Sequence, residues 1–97
     1  MSTWSVLRES RVTVPPHVVL RAFTHETVVL NVRTGQYHGI DPIGGRFLEV
    51  MQETPTLGAA SQRLADEYSQ PLARIEDDLT AFVDELLGRE LIVIVRA

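Results

Sequence analysis

The 97-residue sequence predicts an α+β fold: a three-stranded antiparallel N-terminal sheet, then three helices and a short C-terminal strand. Three observations carry that prediction. Val, Ile and Thr supply 12 of the 30 residues from 12 to 41 but only 7 of the 49 from 42 to 90, and β-branched side chains favour strands. Turn-forming residues divide the first region at Thr24 and His25 and again at Arg33, Thr34 and Gly35. In the second region apolar residues recur at the helical period instead.

Each element follows in order. Pro15 and Pro16 bar strand pairing before His17, so the first strand takes residues 18–23 and the second residues 26–32. The glycine at 35 permits a tight reversal into a third strand, residues 36–40, and Asp41-Pro42 ends it. Asp41 then caps the first helix with Pro42 at its first position, where the missing N–H costs nothing; Phe47, Leu48 and Met51 give this helix its apolar face. The Gly44-Gly45 pair opposes helix propensity and implies close approach of another backbone. Thr56 caps a second helix over residues 57–68, with Leu57, Ala60, Leu64 and Tyr68 inward, and Ser69-Gln70-Pro71 breaks it. The third helix, from Pro71 or Leu72 to Leu87, has Leu72, Ile75, Leu79, Phe82 and Leu86 at the 3.6-residue period and stops at Gly88. Residues 91–95, five consecutive aliphatics, form a final strand or wing. The chain reads as one domain, 1–97, with residues 1–16 as a flexible lead-in.

Composition narrows the function. A 44% hydrophobic and 23% charged sequence is that of an ordinary globular chain, and at this length a shallow surface site is favoured over a deep pocket. Nine arginines, no lysine and thirteen acidic residues give a net charge of -4, the wrong sign for generic attraction to nucleic acid or anionic lipid. Without cysteine there is no disulfide framework, thiolate nucleophile or cysteine-ligated metal. No apolar run approaches a membrane span and no signal segment opens the chain, so it reads as a cytoplasmic protein without a membrane partner.

Catalytic and cofactor signatures are equally sparse. His17, His25 and His38 stand 8 and 13 residues apart, neither helical-pair nor alternate-strand spacing, so no metal site is expected. There is no Gly-x-Ser-x-Gly elbow, no lysine for a Schiff base and no phosphate-binding glycine loop; neither enzyme activity nor a cofactor is expected. The adjacent carboxylates at 66–67, 77–78 and 84–85 point about 100° apart on a helix and read as solvated faces. Two helices joined by a short break and followed by a wing do raise a winged-helix DNA-binding regulator as an alternative. Against it, the would-be recognition helix has one basic residue, Arg74, and five acidic ones, Glu76, Asp77, Asp78, Asp84 and Glu85.

The third strand and its exit are more specific. Gly35-Gln-Tyr37-His-Gly39-Ile40-Asp41-Pro-Ile-Gly44-Gly45-Arg-Phe47-Leu48 resembles the Gly-x-Tyr-x-x-Leu-Asn-x-x-Gly-x-x-Ile pattern of the PqqD-like family, peptide-binding domains called RiPP recognition elements. On the third helix, Ile75-Glu-Asp-Asp78-Leu79-x-x-Phe82-Val83-x-x-Leu86 is similar to the family's Asp-Val-x-x-Phe-Leu-x-x-Leu run, and the resemblance as a whole covers roughly residues 17–95. The sequence departs from the pattern in having Ile40 for Leu and Asp41 for Asn, and in placing Leu91-Ile92 two residues later after Gly88.

The resemblance implies a winged-helix-like domain that binds the leader segment of a ribosomally synthesised precursor peptide. In this family the leader adds as a fourth strand to the third strand and packs on the third helix. Free-standing members of this length are similar to those of lasso-peptide pathways, where a separate leader peptidase is the client enzyme; a monomer is expected. Members serving pyrroloquinoline quinone synthesis carry Pro-Glu before the third-strand turn, and Asn31-Val-Arg-Thr-Gly35 does not.

Strand alternation puts Tyr37 and Gly39 on one face and Gln36, His38 and Ile40 on the other. Tyr37 reads as a core aromatic or, at an edge, as the wall of a leader pocket; Gly39 reads as a bulge or as room for a second backbone. The apolar arc of the third helix is wider than one core contact needs. Beside it run Arg74, Asp78, Ala81 and Glu85, either a charged wall that orients a peptide or a solvated flank with an Arg74–Asp78 pair. The expected leader-contacting set is thus Gln36, Tyr37, His38, Gly39, Ile40, Arg74, Asp78, Ala81, Phe82 and Glu85.

Overall fold

A computed structural model describes residues 3–96 of the chain. The element order is α1 (Thr3–Leu7), β1 (Arg11–Thr13), β2 (Val18–Ala22), β3 (Thr27–Asn31), β4 (Gln36–Ile40), α2 (Pro42–Glu53), α3 (Leu57–Tyr68), α4 (Leu72–Gly88) and β5 (Val93–Val95). Strands β2, β3 and β4 form an antiparallel meander in that spatial order, while β1 and β5 form a separate antiparallel pair. The predicted α+β class and the order of sheet, three helices and final strand are those of the protein, with strand ends shifted by a residue or so.

Local chemistry accounts for the boundaries. Gly35 takes the left-handed conformation (φ 76°) that the β3–β4 turn requires, and the Asn31 side chain accepts from the Arg33 and Thr34 amides, 3.0 and 3.4 Å away, to close the same turn. Asp41 caps α2 by accepting from Gly44 N–H at 2.7 Å, and Thr56 caps α3 by accepting from Ala59 N–H at 3.1 Å. Ser69 (φ 52°) breaks the chain between α3 and α4. Helix α4 ends at Gly88, within a residue of the expected end, but the left-handed residue past that end is Glu90 (φ 58°) and not the glycine.

One layer of helices packs on one face of the sheet. The core joins Ile75, Leu79, Val83 and Leu86 of α4 to Leu57, Ala60 and Leu64 of α3, to Phe47, Leu48 and Met51 of α2, and to Val18 and Val29 on the inner face of the sheet. Each of these side chains larger than alanine contributes about 1.5–3 kcal/mol by burial. Leu72, expected inward, is exposed at the first turn of α4.

The lead-in differs most from expectation. Within segment 1–16, residues 3–13 form α1 and β1; Met1 and Ser2 lie outside the described residues. Val12 is buried, and Arg11, Val12 and Thr13 pair with Val95, Ile94 and Val93. The carbonyls of Ser10 and Arg8 accept from the Leu57 and Gly58 amides, 2.8 Å in each case, satisfying donors that the first turn of α3 would otherwise leave orphaned. Trp4 Nε1 donates to Glu76 on α4 at 2.8 Å.

Between α2 and α3, Arg46 reaches both carboxylate oxygens of Glu67 (Nη2–Oε1 2.7 Å, Nε–Oε2 2.8 Å) and also Glu49. The guanidinium holds the Glu67 carboxyl below its ordinary 4.5. Because the native value lies below the unfolded one, this contribution is complete above pH 4.5 and fades as the pH falls through the lowered native value. Glu67→Gln should therefore flatten the acid limb of a melting-temperature-versus-pH curve. It should lower the neutral melting temperature only slightly, since the pair is solvent-screened.

Candidate peptide-binding groove

Strand β4 is an edge strand, and the register says which of its backbone groups are free. Phe23 N–H donates to the Glu26 carbonyl and Val32 N–H to the His17 carbonyl, both at 2.8 Å, at the two ends of the β2–β3 ladder. With Arg21 opposite Val28 and Val19 opposite Leu30, these are the hydrogen-bonded pairs of that ladder. Thr27, Val29 and Asn31 therefore turn their backbone groups to β4, where they face Ile40, His38 and Gln36. Tyr37 and Gly39 are left with N–H and C=O pointing away from the sheet, along an edge that pairs with no strand among the described residues.

Beside that edge a groove of about 310 Å³ lies between the end of β4, the start of α2 and the middle of α4. Gly39, Ile40, Ile43, Gly44, Phe47, Phe82 and Leu86 line it together with four charged residues, Asp41, Asp78, Glu85 and Arg89. The ring of Phe47 meets Phe82 edge-on with centroids 6.1 Å apart and tilts against Tyr68 at 6.2 Å, so the floor is a row of aromatic rings. Two further hollows extend the groove: Gln36, His38, Gly88, Arg89 and Glu90 line one near the start of β4, and Ile43, Phe47, Tyr68, Arg74 and Asp78 the other toward the start of α4. The end of β4 thus faces mid-α4 and its start faces the α4 C-terminus, which makes the walls antiparallel.

Gly44 lets this junction close. A Cβ there would lie 2.5 Å from Ile40 Cγ2 and 3.3 Å from Phe82 Cε1, and one at Gly45 would lie 2.5 Å from Thr27 Oγ1. The glycine pair thus admits side chains, where the sequence reading expected a second backbone.

Most of the expected leader-contacting residues converge. Gln36, His38, Gly39, Ile40, Asp78, Phe82 and Glu85 line the groove or its extension, and Arg74 lines the neighbouring hollow. Ala81 is exposed and lines none of these hollows. Tyr37 is no core aromatic: its side chain is 73% exposed on the opposite face of the sheet, beside Val19, Arg21, Phe23, Val28 and Leu30. Only its backbone faces the edge. Gly39 forms no bulge, since Val28 and Gly39 pair in unbroken register; a Cβ there would meet only the movable carboxylate of Glu26, 2.7 Å away. Arg74 and Asp78 are not among the ion pairs of the described residues.

Six wall residues stand outside the expected set: Asp41, Ile43, Gly44, Phe47, Leu86 and Arg89. Asp41, Gly44 and Phe47 had been read as cap, packing glycine and core, and the packing glycine was the signal that this corner is crowded. Arg89 lies beyond the predicted helix end and gave no signal. Among the described residues no group of three or more His, Cys, Asp or Glu could hold a metal ion, and no helix is long and apolar enough to cross a membrane.

Comparison with known proteins gives the fold and the family. Among solved structures, "TbiB1 in Complex with the TbiA(beta) Leader Peptide" superposes with a TM-score of 0.76 at 29% identity, over 82% of this chain and 93% of that one. "Lasso peptide synthetase B1 complexed with the leader peptide" has the same fold, with a TM-score of 0.78 at 18% identity over 86% and 98% of the two chains. No curated protein sequence matches. Residues 26–92, from the start of β3 to the buried Leu91-Ile92 pair, match the profile of the family described as "Coenzyme PQQ synthesis protein D (PqqD)". The open strand edge, the groove beneath it and that match over most of the chain have one common account: the chain belongs to the PqqD family.

Proposed function

We propose that this chain binds the leader segment of a ribosomally synthesised precursor peptide, in lasso-peptide biosynthesis, and catalyses nothing itself. The leader adds as a fourth strand to β4 and packs on α4, and a separate leader peptidase acts on the presented peptide. The chain works as a single cytoplasmic domain, monomeric and without a cofactor. The observation that carries this reading is the outward pair of backbone groups at Tyr37 and Gly39 above an aromatic-floored groove. Further support comes from TbiB1, whose solved complex holds a leader peptide.

Magnitudes assign the work. Tyr37 and Gly39 offer four backbone hydrogen bonds, worth about 0.5–1.5 kcal/mol each in net terms. Ordering an extended peptide offsets much of that, so apolar side chains seated on Phe47 and Phe82 must supply most of the affinity, at about 1.5–3 kcal/mol each. Within the proposed contact set Gln36, His38, Ile40, Asp78, Phe82 and Glu85 act through side chains, Tyr37 and Gly39 through the backbone.

Calorimetric titration with the leader of a precursor encoded beside this chain tests the proposal. The expected Kd lies between nanomolar and micromolar, about -8 to -12 kcal/mol, with a shallow salt dependence and a peptide of unchanged mass. Cleavage or modification by the pure domain would overturn the non-catalytic reading. A steep loss of duplex-DNA affinity with salt, with no peptide binding, would favour the winged-helix alternative.

A further inference from the structure

We infer that the groove selects a leader with a lysine or arginine at the inward-facing position beside Asp78, an inference that rests on the strand-addition reading above. The observation is an imbalance of charge in an otherwise apolar groove. Asp41, Asp78 and Glu85 bring three carboxylates to its walls against one guanidinium, that of Arg89. Arg89 is already engaged by Glu85 at 3.2 Å. Asp41 accepts from Gly44 N–H within the cap of α2. Asp78 is in none of the ion pairs among the described residues, and Arg74, one turn earlier on α4, does not close on it.

Position sharpens the selection. Asp78 lines both the main groove and the hollow toward the α4 N-terminus, and in each it shares the wall with Ile43 and Phe47. A long cationic side chain suits that arrangement, because its aliphatic stem can lie on the apolar floor while its head meets the carboxylate. A short apolar residue would leave Asp78 unanswered, and an acidic one would face three like charges. Inward side chains of an added strand recur about every 7 Å, and toward the start of β4 the walls change to His38, Arg89 and Glu90. The preference is therefore confined to the position nearest Ile40.

A phage-displayed library of random short peptides, selected on the full chain, on Asp78→Arg and on Asp66→Arg, tests this. Asp66 is exposed on α3, away from the groove, and its replacement changes the net charge equally. Wild type and Asp66→Arg should both enrich apolar peptides with Lys or Arg at one position, while Asp78→Arg should lose that enrichment or replace it with Asp or Glu. Alanine in place of the basic residue of a selected peptide should weaken wild-type binding about three- to tenfold at low salt, and weaken Asp78→Arg not at all. Selected peptides that need the outward Gly39 amide, judged by their loss on Gly39→Pro, yet show no basic preference or the same one on Asp78→Arg would overturn the inference and leave strand addition standing. Equal loss of the preference on Asp66→Arg would reduce it to bulk charge and overturn it as well. Peptides indifferent to Gly39→Pro, or no selected peptides, would overturn strand addition and this inference together.

Discussion

Gly39→Pro is expected to weaken leader binding by about 1–3 kcal/mol while the thermal melt stays close to wild type, and His38→Pro is expected to do the converse. The difference comes from the direction of two adjacent amides. Gly39 N–H points away from β3 and is unused in the free protein, so proline removes a donor only the incoming peptide would have used. The His38 N–H faces Val29 within the ladder, so proline there removes a bond of the fold itself. Circular dichroism melts paired with leader titrations of both variants supply the check. If Gly39→Pro folds and binds as tightly as wild type, the leader does not pair with β4.

A chain lacking residues 1–13 is expected to lose cooperative folding at ordinary temperatures. Its removal exposes the core surface that Leu7 and Val12 cover, deprives β5 of its strand partner, and leaves the Leu57 and Gly58 amides without their carbonyl acceptors. Two buried aliphatic side chains at about 1.5–3 kcal/mol and two hydrogen bonds at about 0.5–1.5 kcal/mol come to roughly 4–9 kcal/mol, comparable with the whole stability of a small domain. A point variant isolates part of this: a Cβ at Gly58 would lie 2.9 Å from the Arg8 carbonyl oxygen, so Gly58→Val should displace the lead-in without touching the groove. Denaturant melts of both proteins give the measurement. A truncated chain with the wild-type transition would show that α1 and β1 are decoration.

These two expectations divide what the sequence discloses from what it hides. The meander and the three long helices were legible because their signals are local: Gly35 at the turn, Asp41 and Thr56 at the caps, and a 3.6-residue apolar repeat in α4. The lead-in elements were not. Five and three residues are too few to show a period, and their partners, Glu76 and β5, lie more than seventy residues away along the chain. The candidate site was legible in the same proportion. Alternation separated Tyr37 and Gly39 from Gln36, His38 and Ile40, but parity cannot say which set faces the helices, so a large aromatic was assigned inward by its apolarity and in fact lies outside. Edge direction was hidden for a like reason: it depends on which β2–β3 pairs carry hydrogen bonds, a fact of register set by the Thr24-His25 turn.

The pairing of Val12 with Ile94 joins positions 82 residues apart, whereas the β3–β4 hairpin closes across four. Closure entropy rises as the logarithm of loop length, so in an unfolded chain the outer pair costs about 2.7 kcal/mol more to bring together than the hairpin turn. It becomes affordable only once the meander and helices have drawn the two ends near each other. Formation of β1·β5 is then a late event on the folding path, largely absent from the transition state, and damage to it falls mainly on the rate of unfolding. The chain ends thus govern how long the folded domain lasts, and the middle of the sequence governs how quickly it forms.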